Sequence, residues 1–136
     1  MRILVIDGEP VLRAAWKYLL SEQGHDVMVA GNSDDGIAES RSEEPDLVLV
    51  DVDSLWPVDQ GLLTIETIRD QMPDAQILVL SSWLNRRKAL ESGANVCLPK
   101  PIDFGTVFKL ADMMAGHTGK RLRPVSAEAA VHEQFV

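Results

Sequence analysis

Apolar runs of strand length alternate with segments of helical periodicity along most of the chain. Apolar runs predict strands over residues 2–7, 26–30, 46–51, 76–81 and 95–98. Apolar residues at helical spacing predict helices over residues 10–23, 33–42, 61–71, 84–92 and 103–115. Strands that are apolar on both faces are typical of a parallel sheet with helices on both sides. The sequence therefore predicts an α/β domain of five βα units.

The periodic pattern stops after about residue 116. Residues 117–136 consist mainly of Gly, Arg, Pro, Ser, Ala and Glu, without the apolar spacing of a core element. A chain of 136 residues has the length of one domain. We therefore expect one domain over residues 1–116, followed by a flexible C-terminal tail or linker over residues 117–136.

Composition excludes several classes of function. A formal net charge of -8 and a pI of about 4.7 argue against nucleic acid as the main partner, because phosphate contacts need clustered Lys and Arg. The one cysteine, Cys97, cannot form an internal disulfide, which favours a reducing, cytoplasmic location. No apolar run approaches the roughly 20 residues that cross a bilayer, so no membrane association is expected.

Ionisable and hydroxyl side chains stand where the predicted strands end. Asp7 and Asp51 each close an apolar run, Ser81 ends the fourth strand, and Lys100 follows the fifth. In an open parallel sheet, ligands bind at the carboxyl ends of the strands. We therefore expect Asp51, Ser81 and Lys100 to converge on one crevice.

Four parts of the sequence resemble the receiver domain of bacterial two-component response regulators: residues 3–10, residues 45–51, residues 77–81, and residues 93–95 together with 98–101. The resemblance covers the chain from residue 1 to about 115. It implies a flavodoxin-like, doubly wound, five-stranded parallel sheet with strand order 2-1-3-4-5. It also implies phosphoryl transfer to Asp51 from a sensor histidine kinase or a phosphotransfer protein, and a signalling role without enzymatic turnover.

The resemblance also implies a role for each residue of the crevice. Ser81 and Lys100 would contact the phosphate, and Pro101 would follow a cis peptide bond. Asp7, Asp51 and the backbone carbonyl of Asp53 would hold Mg²⁺. A lysine, a hydroxyl group and a metal ion suit phosphoryl transfer, because a carboxylate accepts a phosphoryl group only when the charge on the transferring oxygens is neutralised.

Two positions depart from the receiver pattern. Gly8 stands where receivers usually place a second metal-binding acid, so Mg²⁺ binding should be weak or absent, and Gly8→Asp should strengthen it. Cys97 stands where receivers commonly carry the aromatic switch residue, and a thiol cannot report the state of Ser81 by swinging a ring. These departures predict an atypical receiver that acts by protein–protein interaction.

One alternative is a pseudo-receiver that works without phosphorylation. It would bind an unknown downstream protein, or it would dimerise through the fourth helix, fifth strand and fifth helix, because residues 103–115 carry more apolar surface than one core-facing stripe requires. Trp56 and Trp83 would either anchor a partner or pack together over the crevice.

A second alternative comes from another class of protein. Asp51 and Asp53 resemble the nucleophile and the acid–base residue of haloacid dehalogenase-type phosphatases, with Ser81 and Lys100 in that family's later motifs. The sequence after Lys100 argues against this interpretation. Its only aspartates, Asp103 and Asp112, fall at or in the last predicted helix, where they do not form the acidic pair that such phosphatases use for magnesium.

Overall fold

The computed structural model describes residues 1–57, 59–84 and 86–116, so the predicted tail over residues 117–136 lies outside the described residues. Within them, the strands are β1 (Arg2–Ile6), β2 (Asp26–Ala30), β3 (Leu47–Asp51), β4 (Gln76–Ser81) and β5 (Val96–Pro99). The α-helices are α1 (Pro10–Glu22), α2 (Ser33–Glu43), α3 (Gln60–Gln71), α4 (Arg86–Ser92) and α5 (Phe104–Ala115). A single 3-10 turn, Val52–Ser54, follows β3. The predicted elements are all present, with ends that differ by one or two residues.

The strands form one parallel sheet in the order β2-β1-β3-β4-β5, which confirms the predicted fold class. β3 lies at the centre, with Val50 opposite Ile6 of β1 and Asp51 opposite Leu80 of β4. Every residue of β3 and β4 is buried, as expected for strands covered on both faces. The carboxyl ends of β1, β3 and β4 are therefore neighbours at one edge of the sheet.

Two apolar cores lie on opposite faces of the sheet. One contains Trp16 of α1 and Leu110 of α5, and the Trp16 ring lies 4.7 Å from that of Phe104, measured between ring centroids. The other contains Ile65 and Ile68 of α3. This division shows that the sheet is doubly wound, and Trp16 is a core residue of one face.

Most of the apolar surface of helix α5 is buried inside the domain. Besides its fully buried residues, Phe104, Phe108 and Met113 pack partly against the same core. The apolar excess that suggested an interface is therefore largely used within the domain, and dimerisation through this face stays a prediction. None of the helices in the described part of the chain has the length and apolar character needed to span a bilayer.

A buried arginine joins α3 to the loop before β5. Arg69 is only 8% exposed, and its guanidinium donates to the carbonyl oxygens of Gly93 and Ala75 at 2.6–3.0 Å and to Asn95 Oδ1 at 2.8 Å. The same Asn95 oxygen accepts from the backbone N–H of Ile77 in β4. Because these bonds fix the start of β5, they also help to set the position of Lys100 at its far end.

Candidate functional site

Asp51 and Lys100 form the centre of the crevice. Asp51 ends the central strand and is 2% exposed, and its Oδ1 accepts hydrogen bonds from Lys100 Nζ at 2.9 Å and from the backbone N–H of Asp53 at 3.1 Å. Lys100 directly follows β5, so it reaches past the end of β4 to make this contact. Burial alone lowers the pKa of Lys100, but the hydrogen bond and charge of Asp51, with a smaller effect of Asp53, outweigh it and raise the pKa. The ammonium group is therefore held in its charged form.

Asp7 is fully buried beside this pair. Its Oδ1 accepts from the backbone N–H of Glu9 at 2.9 Å, whereas its Oδ2 has no hydrogen-bond partner among the described residues. Burial raises the pKa of Asp7, and the negative charge of Asp51 adds to the increase, while the Glu9 hydrogen bond opposes it. The negative charge of the Asp7 carboxylate is thus unfavourable here unless the group takes up a proton or a cation lies nearby.

The 3-10 turn after β3 fills the space beside Gly8. The backbone N–H of Gly8 donates to Ser54 Oγ at 2.8 Å, and this hydroxyl donates to the carbonyl oxygen of Asp51 at 2.8 Å. A Cβ atom on residue 8 would overlap the Ser54 carbonyl oxygen and lie 3.2 Å from its carbonyl carbon. A side chain at residue 8 would therefore collide with the main chain of the turn, so the turn must shift before Gly8→Asp can add a metal ligand, and stronger Mg²⁺ binding by that variant stays a prediction.

Asp53 contributes its side chain to the crevice, in addition to the backbone carbonyl that the receiver resemblance assigned to the metal site. The carboxylate accepts from Ser81 Oγ at 2.7 Å and from both the N–H and the Oγ of Ser82 at 2.8 Å, and it lies 3.2 Å from Lys100 Nζ. Burial raises the pKa of Asp53, but the bonds from Ser81, Ser82 and Lys100 outweigh it and lower the pKa. Ser82 was not predicted as a site residue, although a hydroxyl residue directly after Ser81 was the available signal.

Several of the oxygens that could bind Mg²⁺ are already engaged by other groups in this arrangement. The ion prefers a near-octahedral set of oxygens from carboxylates, phosphates and water. Asp7 Oδ2 is open to such a role, but Lys100 occupies Asp51 Oδ1 and the Asp53 carboxylate is held by Ser81, Ser82 and Lys100. Among residues 1–57, 59–84 and 86–116, no cluster of three or more His, Cys, Asp or Glu side chains is placed to hold a metal ion.

Cys97 lies in the interior rather than at the crevice. It is 4% exposed and belongs to the core that also contains Leu84 and Ala89. Burial raises the pKa of the Cys97 thiol to about 11. Ser81 connects this region to the crevice, because its Oγ accepts from the backbone N–H of Leu84 at 2.9 Å while donating to Asp53.

Other residues singled out in the sequence lie around or away from this centre. The Lys100–Pro101 peptide bond is cis. Trp56 and Trp83 are 83% and 51% exposed, which favours partner contact over packing together across the crevice. Asp103 caps α5 by accepting from the Gly105 N–H at 2.9 Å, and Asp112 is an exposed residue of that helix, 3.7 Å from the ring of His25. Neither acid forms part of the crevice, so the magnesium pair of a dehalogenase-type phosphatase is not assembled here.

Comparison with known proteins assigns the family. The family model described as the response regulator receiver domain matches residues 3–112. This chain belongs to that family. Receiver domains are signalling modules rather than enzymes; they interact with histidine kinases or phosphotransfer proteins and generally bind Mg²⁺ at the phosphorylation site.

The receiver domain is similar to proteins from several bacteria. It is 32% identical over 116 residues to protein PilH of Pseudomonas aeruginosa, covering 79% of this chain and 92% of PilH. It is 31% identical to the transcriptional regulatory protein AfsQ1 of Streptomyces coelicolor, where it spans 44% of that protein's length. The crystal structure of a two-component response regulator from Clostridium difficile superposes with a TM-score of 0.78 at 24% identity, covering 85% of this chain and 96% of that one. The likeness to this structure shows the shared fold.

Proposed function

We propose that this receiver domain is a phosphorelay-type signalling module, with Asp51 as the phosphoacceptor and protein–protein contacts as its output. One observation carries the proposal. Asp51 stands buried at the end of the central strand with the Lys100 ammonium on its Oδ1 at 2.9 Å. A carboxylate paired with a cation, at the strand ends where open α/β sheets bind ligands, is suited to accept a phosphoryl group.

The transfer needs few groups. A carboxylate oxygen of Asp51 attacks the phosphorus of a phosphohistidine on the donor protein, and the phosphorus–nitrogen bond breaks with its electron pair staying on the imidazole. The product is an acyl phosphate on Asp51 and a neutral histidine once the ring is protonated. Lys100 and the hydroxyl of Ser81 would stabilise the charge on the phosphoryl oxygens.

The metal site of this domain is proposed to be impaired, with Mg²⁺ binding weak or absent. Support comes from the Ser54 backbone, which occupies the space beside Gly8, and from the bonds already made by Asp51 and Asp53. The switch is proposed to be altered as well. Cys97 is a small buried thiol packed near Leu84, so a change at Ser81 would reach the surface through the backbone that leads to α4.

The proposed partners are a sensor histidine kinase or phosphotransfer protein and a downstream protein, in the cytoplasm. Trp56 and Trp83 lie exposed on the segments that follow β3 and β4, and large aromatic side chains are common anchors of interfaces. The acidic charge of the chain supports protein partners over nucleic acid. A homodimer through α4, β5 and α5 is proposed as a further form.

Labelling with a small phosphodonor tests the phosphoacceptor. The protein is incubated with acetyl phosphate in the presence of Mg²⁺, and its intact mass is followed with time. We expect a phosphate adduct that the Asp51→Asn variant lacks and that the control Asp74→Asn, an exposed acid outside the crevice, retains. A wild-type protein that stays without an adduct even after prolonged incubation, while an ordinary receiver is labelled, contradicts the assignment of Asp51.

The second candidate function is phosphorylation-independent binding by a pseudo-receiver. It is favoured by one specific observation: the donors of the crevice are already satisfied by Asp53, without any phosphate. Under this alternative, Asp51→Asn would leave the affinity for a protein partner unchanged. Under the first candidate, phosphorylation of the wild-type protein would change that affinity, and Asp51→Asn would abolish the change.

A further inference from the structure

The carboxylate of Asp53 is bound by the same kinds of group that an oxyanion requires. A side-chain hydroxyl from Ser81, a backbone N–H and a hydroxyl from Ser82, and the Lys100 ammonium all converge on its two oxygens, at 2.7–3.2 Å. Three elements of the chain supply these groups: the end of β4, the loop after it, and the residue after β5. Charge-assisted bonds of this kind are among the stronger hydrogen bonds in proteins.

One of these donors, Lys100, also bonds to Asp51. Lys100 Nζ lies 2.9 Å from Asp51 Oδ1 and 3.2 Å from Asp53 Oδ2, so one ammonium bridges the two carboxylates. The N–H of Asp53 donates to Asp51 Oδ1, which places the two acids on one tight turn. A phosphoryl group attached to Asp51 would carry its oxygens into this shared space, where Asp53 already uses the hydroxyl and the ammonium.

We infer that the Asp53 carboxylate is an internal occupant of the phosphoryl pocket and must leave its donors before Asp51 can hold a phosphoryl group. This inference rests on the proposed function, which assigns Ser81 and Lys100 as phosphate contacts. Two physical effects oppose phosphorylation while Asp53 stays: the donors cannot serve both anions fully, and two anions at such close range repel each other. Asp53 therefore makes this receiver slow to accept phosphate.

The same contacts give Asp53 a positioning role for the loop before α4. Ser81 Oγ donates to Asp53 and accepts from the backbone N–H groups of Trp83 at 3.2 Å and Leu84 at 2.9 Å. With Asp53 in place, this loop is held as a bound anion would hold it.

Two variants remove the occupant in different ways. Asp53→Asn keeps the shape but removes the charge, and Asp53→Ala vacates the space. The control Asp74→Asn makes the same change of net charge at an exposed turn before β4, at the opposite end of the sheet. Each protein is incubated with acetyl phosphate; an Asp51 oxygen attacks the phosphorus, and acetate leaves with the electron pair of the broken phosphorus–oxygen bond.

We expect both Asp53 variants to be labelled at least about tenfold faster than the wild type and than Asp74→Asn, a change equivalent to about 1.4 kcal/mol. The label must disappear when Asp51→Asn is combined with either variant. Equal rates in all proteins would overturn the inference and leave the phosphoacceptor assignment standing.

Binding of inorganic phosphate gives a second readout that needs no transfer to Asp51. The Ser82 amide proton is followed by NMR during a titration with phosphate. We expect its resonance to move in Asp53→Ala and to return toward the wild-type position as phosphate binds, with at least about tenfold tighter binding than in the wild type. If no protein is labelled but this response is seen, Asp53 does occupy an anion site, and it is the proposed function of Asp51 that fails. If the Ser82 resonance of Asp53→Ala is unchanged, or phosphate binds no tighter, the inference is wrong.

Discussion

Gly8→Ala tests whether the turn after β3 has taken the place of the second acid. The new Cβ would overlap the Ser54 carbonyl oxygen and lie 3.2 Å from the carbonyl carbon, inside the 3.4–4 Å of ordinary contact. The turn cannot yield freely, because Ser54 Oγ accepts from the Gly8 N–H and donates to the Asp51 carbonyl oxygen, each at 2.8 Å. Overpacking typically costs about 1–3 kcal/mol, and each lost hydrogen bond about 1 kcal/mol. We therefore expect Gly8→Ala to lower the free energy of unfolding by roughly 2–4 kcal/mol.

The assay is urea unfolding followed by far-ultraviolet circular dichroism, with the change read from the midpoint at constant slope. Gly31→Ala is the matched control, since its Cβ meets the end of the Arg13 side chain, at 2.7 Å, and this flexible side chain can move at the cost of its hydrogen bond to the Asp7 carbonyl oxygen. We expect this control to cost less than about 1 kcal/mol. If the free energy of unfolding of Gly8→Ala lies within about 0.5 kcal/mol of that of the control, the turn is not fixed against Gly8 and does not take the place of the lost acid.

Three further predictions concern the interior of the domain. Arg69→Met should lower the free energy of unfolding, measured in urea, by roughly 3–5 kcal/mol, because it leaves buried carbonyl oxygens without their hydrogen-bond donor. The exposed control Arg87→Met should lower it by less than about 1 kcal/mol. The Cys97 thiol should resist alkylation until the protein unfolds. Its folded pKa of about 11 exceeds the unfolded value near 8.5, so the stability of the wild type should fall, relative to Cys97→Ala, as the pH rises from the lower to the higher of these values. Equal pH profiles of the two proteins would contradict this. Burial lowers the pKa of His25, so the unfolded chain takes up a proton first and stability should fall as the pH drops below about 6.5; His25→Gln should flatten that profile in thermal melts.

The elements that depend on local pattern were predicted almost completely. Continuous apolar runs such as residues 47–50 need burial on both faces, and only a parallel sheet between helices provides it. The parallel arrangement in turn places the strand ends together, which is why Asp51 and Lys100 were expected to meet and are found 2.9 Å apart. Neither inference required knowledge of distant contacts.

The side chain of Asp53 shows where such reasoning stops. Its position two residues after Asp51 fits a solvent-facing loop acid as well as a pocket acid, because the turn that follows a strand has no periodicity. Its direction is decided by donors from residues 28 and 29 positions away in the chain. A contact of that kind depends on how two loops meet, and no local pattern encodes it.

The sequence by itself determined the α/β class and the strand ends that form the crevice, because these follow from periodicity and residue identity, and its resemblance to receivers implied the loss of a carboxylate at Gly8. Only the tertiary structure decided what fills the space beside Gly8 and which anion uses the donors around Asp51. The physical reason is that close packing and hydrogen bonding act between segments far apart in the chain. The Ser54 backbone packs beside Gly8, and the Asp53 carboxylate accepts a hydrogen bond from Ser81. Both contacts form only once the sheet has brought those segments together.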